Sequence, residues 1–222
     1  MEDRCIVESV KKTYMDAHKP KTLKHVEAVA GTAVWLAGIH YLDQAKTETA
    51  AMLHDISVIM TPPEMYELAK ERSMTIDPAE EKYPFLLHQR ISKLIALERF
   101  GVTDPDILNA VECHTTLKKN AGPYDQAVFI ADKISWDQEG QPPYYDTLKR
   151  LAAESLDKAC FFYIRYQFDH HLLLMPHQWI IEAYQDLKTR VGMPDEACEH
   201  LQNKAKASGL TDLSFRFEET DL

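Results

Sequence analysis

The chain holds ten histidines, and one of them sits beside a carboxylate in a telling place. His54 and Asp55 follow Ala50-Ala51-Met52-Leu53, an apolar helical stretch in which an unpartnered carboxylate would be expensive to bury. Neighbours on a helix point about 100° apart, yet both can reach one ion if they lean into a crevice between helices. Imidazole and carboxylate together suit a borderline divalent transition metal such as iron, manganese, cobalt or zinc. On the dipeptide alone a plainer reading has equal weight: Asp55 caps or pairs locally and His54 packs. His18, His40, His170, His171, His177 and His200 are read as ordinary core or surface histidines.

Further residues of the same chemistry recur in apolar settings. His25 lies on the preceding helix. His88 follows Phe85-Leu86-Leu87, and His114 closes another helix ahead of Thr115-Thr116. Asp132 sits within Phe129-Ile130-Ala131-Asp132-Lys133-Ile134. Separate helices thus each present a His or an Asp, and a bundle core is where helical proteins assemble such metal sites.

The elements that must position these residues read as helices nearly throughout, so the expected fold class is all-α. Val26, Val29, Ala30, Ala33 and Ala37 give a helical face over Thr22 to Ile39. Thr47 or Thr49 starts the next helix, which runs to His54-Asp55. Pro63 suits the first turn of a helix through Glu64 to Glu71. Asp77 to Lys82 reads as a loop or short turn, and Phe85 to Phe100 as one long helix carrying His88. Gly101 is a C-cap, and Asp104-Pro105 opens a helix bearing Ile107, Leu108, Val111 and His114. Lys118 to Pro123 reads as a loop, Tyr124 to Trp136 as a helix and Glu139 to Pro143 as another loop. Two closing helices are expected, Tyr144 to Phe168 and Pro176 to Val191. The divisions are an N-terminal helical lead-in over 1–20, one domain over 21–190 and a partly ordered tail over 191–222.

Bulk properties bound the function. The net charge of −10 argues against binding nucleic acid through its backbone. It leaves room for a nucleotide, because a metal supplies local positive charge. Cys5, Cys113, Cys160 and Cys198 form no metal-binding or C-x-x-C pattern, which fits a reducing compartment. With no apolar leader and no membrane-length run, a cytoplasmic location is expected.

The ordered set His25, His54-Asp55, His88, His114, Asp132 resembles the HD-domain metal-dependent phosphohydrolases. Its flanks are similar to the YqeK-like branch, the symmetrical diadenosine tetraphosphatases. They are Leu23-Lys24-His25, Ala50 to Asp55, Leu86-Leu87-His88, Phe100-Gly101-Val102, His114-Thr115-Thr116 and Ile130 to Ile134. The resemblance implies an HD helical bundle with the metal site in its core. It implies His25, His54, Asp55 and Asp132 as metal ligands, with iron the expected metal and one or two ions bound. It gives His88, His114, Thr115 and Lys133 to a second metal or to phosphate. Asp55, as a bridge, and His88 and His114, as proton donors to the leaving oxygen, are the catalytic candidates. The chain departs from the resembling proteins at Gln89 and Leu117, where they carry glycine, and at Ser135-Trp136-Asp137-Gln138, where they read Glu-Pro-x-Arg. Trp136 is open to two readings, stacking on a base or packing at a helix end, of which packing is the commoner.

The implied reaction is cleavage of diadenosine tetraphosphate to two ADP by metal-activated water. Two alternatives stand beside it: a phosphohydrolase of a mononucleotide or another phosphate ester, and a non-catalytic nucleotide-binding regulatory protein. The expected partner is a nucleotide or dinucleoside polyphosphate, without nucleic acid or membrane; a homodimer is compatible with the sequence.

Overall fold

A computed structural model describes residues 2–135 and 140–192. Trp136 to Glu139 and the tail from Met193 lie outside the described residues, and with them the Trp136, Asp137 and Gln138 readings.

Among the described residues the chain is all helical. Helix α1 (Glu2–Asp16) buries Val7, Val10 and Tyr14, spaced one and two turns apart on one face. Helix α2 (Pro20–Ile39) opens with proline in its first turn, where no amide is lost to the ladder. Helix α3 (Gln44–Leu53) starts three residues ahead of the earlier of the two threonine starts. Its cap is Asp43, whose carboxylate accepts from the Ala45 and Lys46 amides; the Thr47 and Thr49 hydroxyls instead donate back to the Asp43 and Ala45 carbonyls.

After a 3-10 turn (Ile56–Ile59), α4 (Pro62–Glu71) begins behind the Thr61–Glu64 capping box. Asp77 to Lys82 is a capped helix and not a loop. Asp77 accepts from the Ala79 amide and Glu80 accepts from the Asp77 amide, holding the five-residue α5 (Pro78–Lys82). A second 3-10 turn (Pro84–Leu87) replaces the first turn of the long helix expected from Phe85, so α6 (His88–Phe100) begins at His88 itself. Gly101 ends it with φ of 68°, the left-handed cap that glycine adopts without strain.

Helix α7 (Pro105–Glu112) is capped by Asp104 as expected, and His114 falls in the turn beyond its end. Helix α8 (Pro123–Ile134) carries Asp132. The closing segment is three helices: α9 (Tyr145–Glu154), α10 (Leu156–Asp169) and α11 (Gln178–Arg190). Ser155 breaks the first expected one, taking extended backbone (φ −163°, ψ 124°) while its side chain caps α10.

Helix α2 packs on α3 and α8, and α7 packs on α3, α6 and α8. Helix α10 joins α9 and α11 to α8. One continuous core runs through these helices and includes α1, which lies against α2, α3 and the 3-10 turn after Asp55. A smaller cluster of Met65, Ala69, Leu87 and Ile91 sits under α4 and α6. No described helix is long and apolar enough to cross a membrane.

Candidate metal centre

The histidine and aspartate residues reach one place because several helices end there. Helix α3 stops at Leu53; His54 keeps helical angles, and Asp55 turns out of the helix at φ −105°, ψ 15°. That change of direction lets two sequence neighbours face the same crevice. His88 is the first residue of α6, and His114 follows the end of α7. His25 and Asp132 come from the middle of α2 and the end of α8, which pack together.

Two groups share Asp55. The ligand atoms of His25, His54 and Asp55 lie within 4.8 Å of one another, as do those of Asp55, His88 and His114. Asp55 uses different oxygens for the two: Oδ2 is 3.4 Å from His54 Nε2, while Oδ1 is 3.3 Å from His114 Nε2 and 3.5 Å from His88 Nε2. Asp132 Oδ1 lies 3.2 Å from His25 Nε2 and 3.9 Å from His54 Nε2.

Three of these histidines are aimed by the same local device. The Nδ1–H of His54 donates to the Ala51 carbonyl at 2.6 Å, that of His88 to Phe85 at 2.6 Å and that of His114 to Val111 at 2.9 Å. A carbonyl can only accept, so the proton sits on Nδ1 and Nε2 turns to the cluster. Metal-ligating histidines are fixed in this way, through a hydrogen bond from the second ring nitrogen. His88 Nε2 and His114 Nε2 are 3.0 Å apart. Two lone pairs aimed at each other over that distance call for a proton or a cation. The buried His54 Nε2 has no partner at hydrogen-bond geometry and faces Asp55 Oδ2 at 3.4 Å. The donor set therefore fits divalent metal.

The same residue type carries opposite electrostatics at two positions. Burial opposes charge on His54, but the Asp55 carboxylate outweighs it and, with Asp132, pushes the imidazole up to about 9. At His114 burial wins, aided by repulsion from His54 and His88, and the ring is pushed down to about 4. Asp55 and Asp132 are both held well below the usual carboxylate range despite burial, Asp55 chiefly by His54 and Asp132 chiefly by Lys133.

The remaining site candidates fall close by. The Thr115 hydroxyl is 2.9 Å from His88 Nε2. Lys133 Nζ bonds Asp132 Oδ2 at 2.5 Å and lies over the Phe129 ring, so its charge is already matched to the Asp132 carboxylate. Leu117 and Gln89, the two positions at which the resemblance implies glycine, both bear on the turn after His114. Leu117 takes φ of 56°, a left-handed conformation in which glycine is unstrained, and its side chain is fully buried. Gln89 is fully buried against Thr115 and Thr116. Sequence reasoning noted Gln89 only as a departure, since a glutamine on α6 does not signal which backbone it meets. Of the histidines read as ordinary, His177 caps α11 and approaches the buried Glu80 at 3.5 Å, away from the cluster.

A family model described as HD domain matches residues 22–137. A Lactococcus lactis subsp. cremoris protein described as "Uncharacterized protein in pepC 5'region" is 34% identical over 68% of this chain and 77% of its own length. A Staphylococcus aureus symmetrical bis(5'-nucleosyl)-tetraphosphatase is 28% identical over 70% of this chain and 79% of its own. The crystal structure of a "predicted HD superfamily hydrolase involved in NAD metabolism" from Clostridium acetobutylicum superposes with a TM-score of 0.74 at 28% identity, covering 82% of this chain and 97% of that one.

Proposed function

The chain belongs to the HD domain family, and on that premise we propose that it is a metal-dependent phosphohydrolase that cleaves diadenosine tetraphosphate at its centre, giving two ADP. The observation that carries the metal site is the shared aim of His54, His88 and His114, each with Nδ1 tied to a backbone carbonyl and Nε2 turned to Asp55. Three relatives described as symmetrical bis(5'-nucleosyl)-tetraphosphatases support the substrate. The proposed catalytic domain is residues 21–190.

His25, His54, Asp55 and Asp132 would hold one ion, and Asp55, His88 and His114 a second, with iron as the proposed metal. When bound, divalent metal supplies water acidic enough to yield hydroxide near neutral pH and positive charge for phosphoryl oxygens. Asp55 joins the two groups because its two oxygens face different histidines. His114, pushed down to about 4, is neutral at pH 7 and thus suited to ligation and not to donating a proton. In a centre with one ion, His88 Nε2, next to the Thr115 hydroxyl, is the atom placed to hold the proton for the leaving phosphate. The Thr115 hydroxyl is also the donor placed to meet a phosphate oxygen. Lys133 keeps Asp132 ionised and oriented. Water adds to the second phosphorus from one adenosine, and the bond to the other ADP breaks.

Product chromatography tests the reading. Two ADP per diadenosine tetraphosphate is the expected result. Equal ATP and AMP would overturn symmetrical cleavage. Turnover of a mononucleotide without cleavage of the dinucleotide would overturn the substrate while leaving the metal site standing.

A further inference from the structure

The turn that delivers His114 and Thr115 is held from outside itself. Gln89, in the first turn of α6, has no exposed surface. Its Oε1 accepts from the backbone amides of Thr115 and Thr116, each at 3.2 Å. Two backbone N–H groups aimed at one atom require an acceptor there, which fixes the carboxamide's orientation. The Nε2 then donates to Thr116 Oγ1 at 3.1 Å, and that hydroxyl donates onward to the Leu117 carbonyl at 2.9 Å. The chain of bonds ends on the residue at φ 56°, whose own amide bonds the Cys113 carbonyl at 2.7 Å. A left-handed leucine persists only where its surroundings over-determine it.

The neighbour of Gln89 on α6 is His88, and the neighbour of Thr115 is His114. One carboxamide therefore ties together the two segments whose side chains meet at 3.0 Å and at the Thr115–His88 contact of 2.9 Å.

We propose that Gln89 is a positioning residue for the phosphohydrolase reaction: it fixes the His114–Leu117 turn against α6 and so sets how His114 and Thr115 meet His88. Gln89 touches neither the ligand group directly nor a reacting atom; it acts through the turn. The inference rests on the proposed hydrolase reading only for its kinetic arm, since the clamp is visible without substrate.

Three variants test it. Gln89→Met keeps length and volume but removes the acceptor. Gln89→Glu restores the acceptor for both amides. Gln89→Gly admits water to them, and serves if the Met variant does not fold. In metal-free protein the Thr115 and Thr116 amides should exchange at least about tenfold faster in the Met and Gly variants. The His114 ring-nitrogen resonances should move in both and return towards the parent values in Gln89→Glu. On whichever phosphate ester the parent cleaves, kcat should fall about 10- to 100-fold in the Met and Gly variants with KM changing less than about threefold. Gln89→Glu should recover most of that loss. Unchanged amide exchange, kcat within twofold of the parent, or a Glu variant as impaired as the Met variant would each overturn the proposal. A parent with no activity on diadenosine tetraphosphate refutes the substrate and leaves the exchange and resonance measurements decisive for Gln89.

Discussion

Metal binding should expel a proton from His54 at a pH where an ordinary histidine has none to give. In the metal-free protein Asp55 and Asp132 lift this buried ring from 6.5 to about 9. At pH 8 an imidazole of that pKa is about 90% protonated, whereas one at 6.5 is about 3% protonated. An ion that takes Nε2 must displace this proton. At pH 7 the gap of about two units costs roughly 3 kcal/mol of binding energy. Affinity should therefore rise about tenfold per pH unit between pH 7 and pH 9. His114, pushed down to about 4, adds nothing in that range because it is already neutral. The sign for stability is the reverse. A folded pKa raised above 6.5 stabilises the metal-free protein by about 3 kcal/mol below pH 6.5, and this is lost as pH climbs through 9. Manganese, at the weak end of the divalent series, keeps the affinity measurable. Titration calorimetry at pH 8 in two buffers of different ionisation enthalpy should give close to one proton released per ion bound at His54. Release below about 0.2 proton, or an affinity flat from pH 7 to 9, would refute a charged His54 in the metal-free protein.

Asp55→Ala removes the ligand that both groups share, so elemental analysis after reconstitution should show loss of both ions; retention of a full complement would sink the bridging role. His88→Ala spares His25, His54 and Asp132, so at least one ion should remain while turnover falls on the order of 100-fold; intact turnover would make His88 a packing residue. Glu80 has no exposed surface and meets Arg90 at 2.7 Å and His177 at 3.5 Å. Glu80→Ala leaves the Arg90 charge without its carboxylate and should cost about 3–5 kcal/mol. A melting point lower by on the order of 10 °C, with metal content unchanged, is the expected result, and a drop under about 3 °C would contradict it.

The sequence determined the helical class and singled out the His and Asp residues that the fold gathers into the candidate centre. Both are local or compositional properties: apolar residues recur at helical spacing, and His and Asp stand out in apolar flanks. Gly101 and the Asp104-Pro105 start were legible for the same reason, because a cap is decided within one turn. Competition between caps was not. Asp43 outcompetes Thr47 and Thr49 for the start of α3, and Ser155 divides what reads as one helix. Helix α5 is too short to persist on propensity; Arg90 from α6 and His177 from the head of α11 hold its Glu80. The tertiary structure alone decided how the centre is tuned. His54 and His114 are both buried histidines following the end of a helix, with Nδ1 on a carbonyl three residues back. Burial opposes charge at both and Asp55 favours it at both; they part because Asp132 adds to the pull on His54, while His54 and His88 repel a proton on His114. Coulomb interactions and desolvation depend on distances in space, and those distances arise only when α2, α3, α6, α7 and α8 pack together.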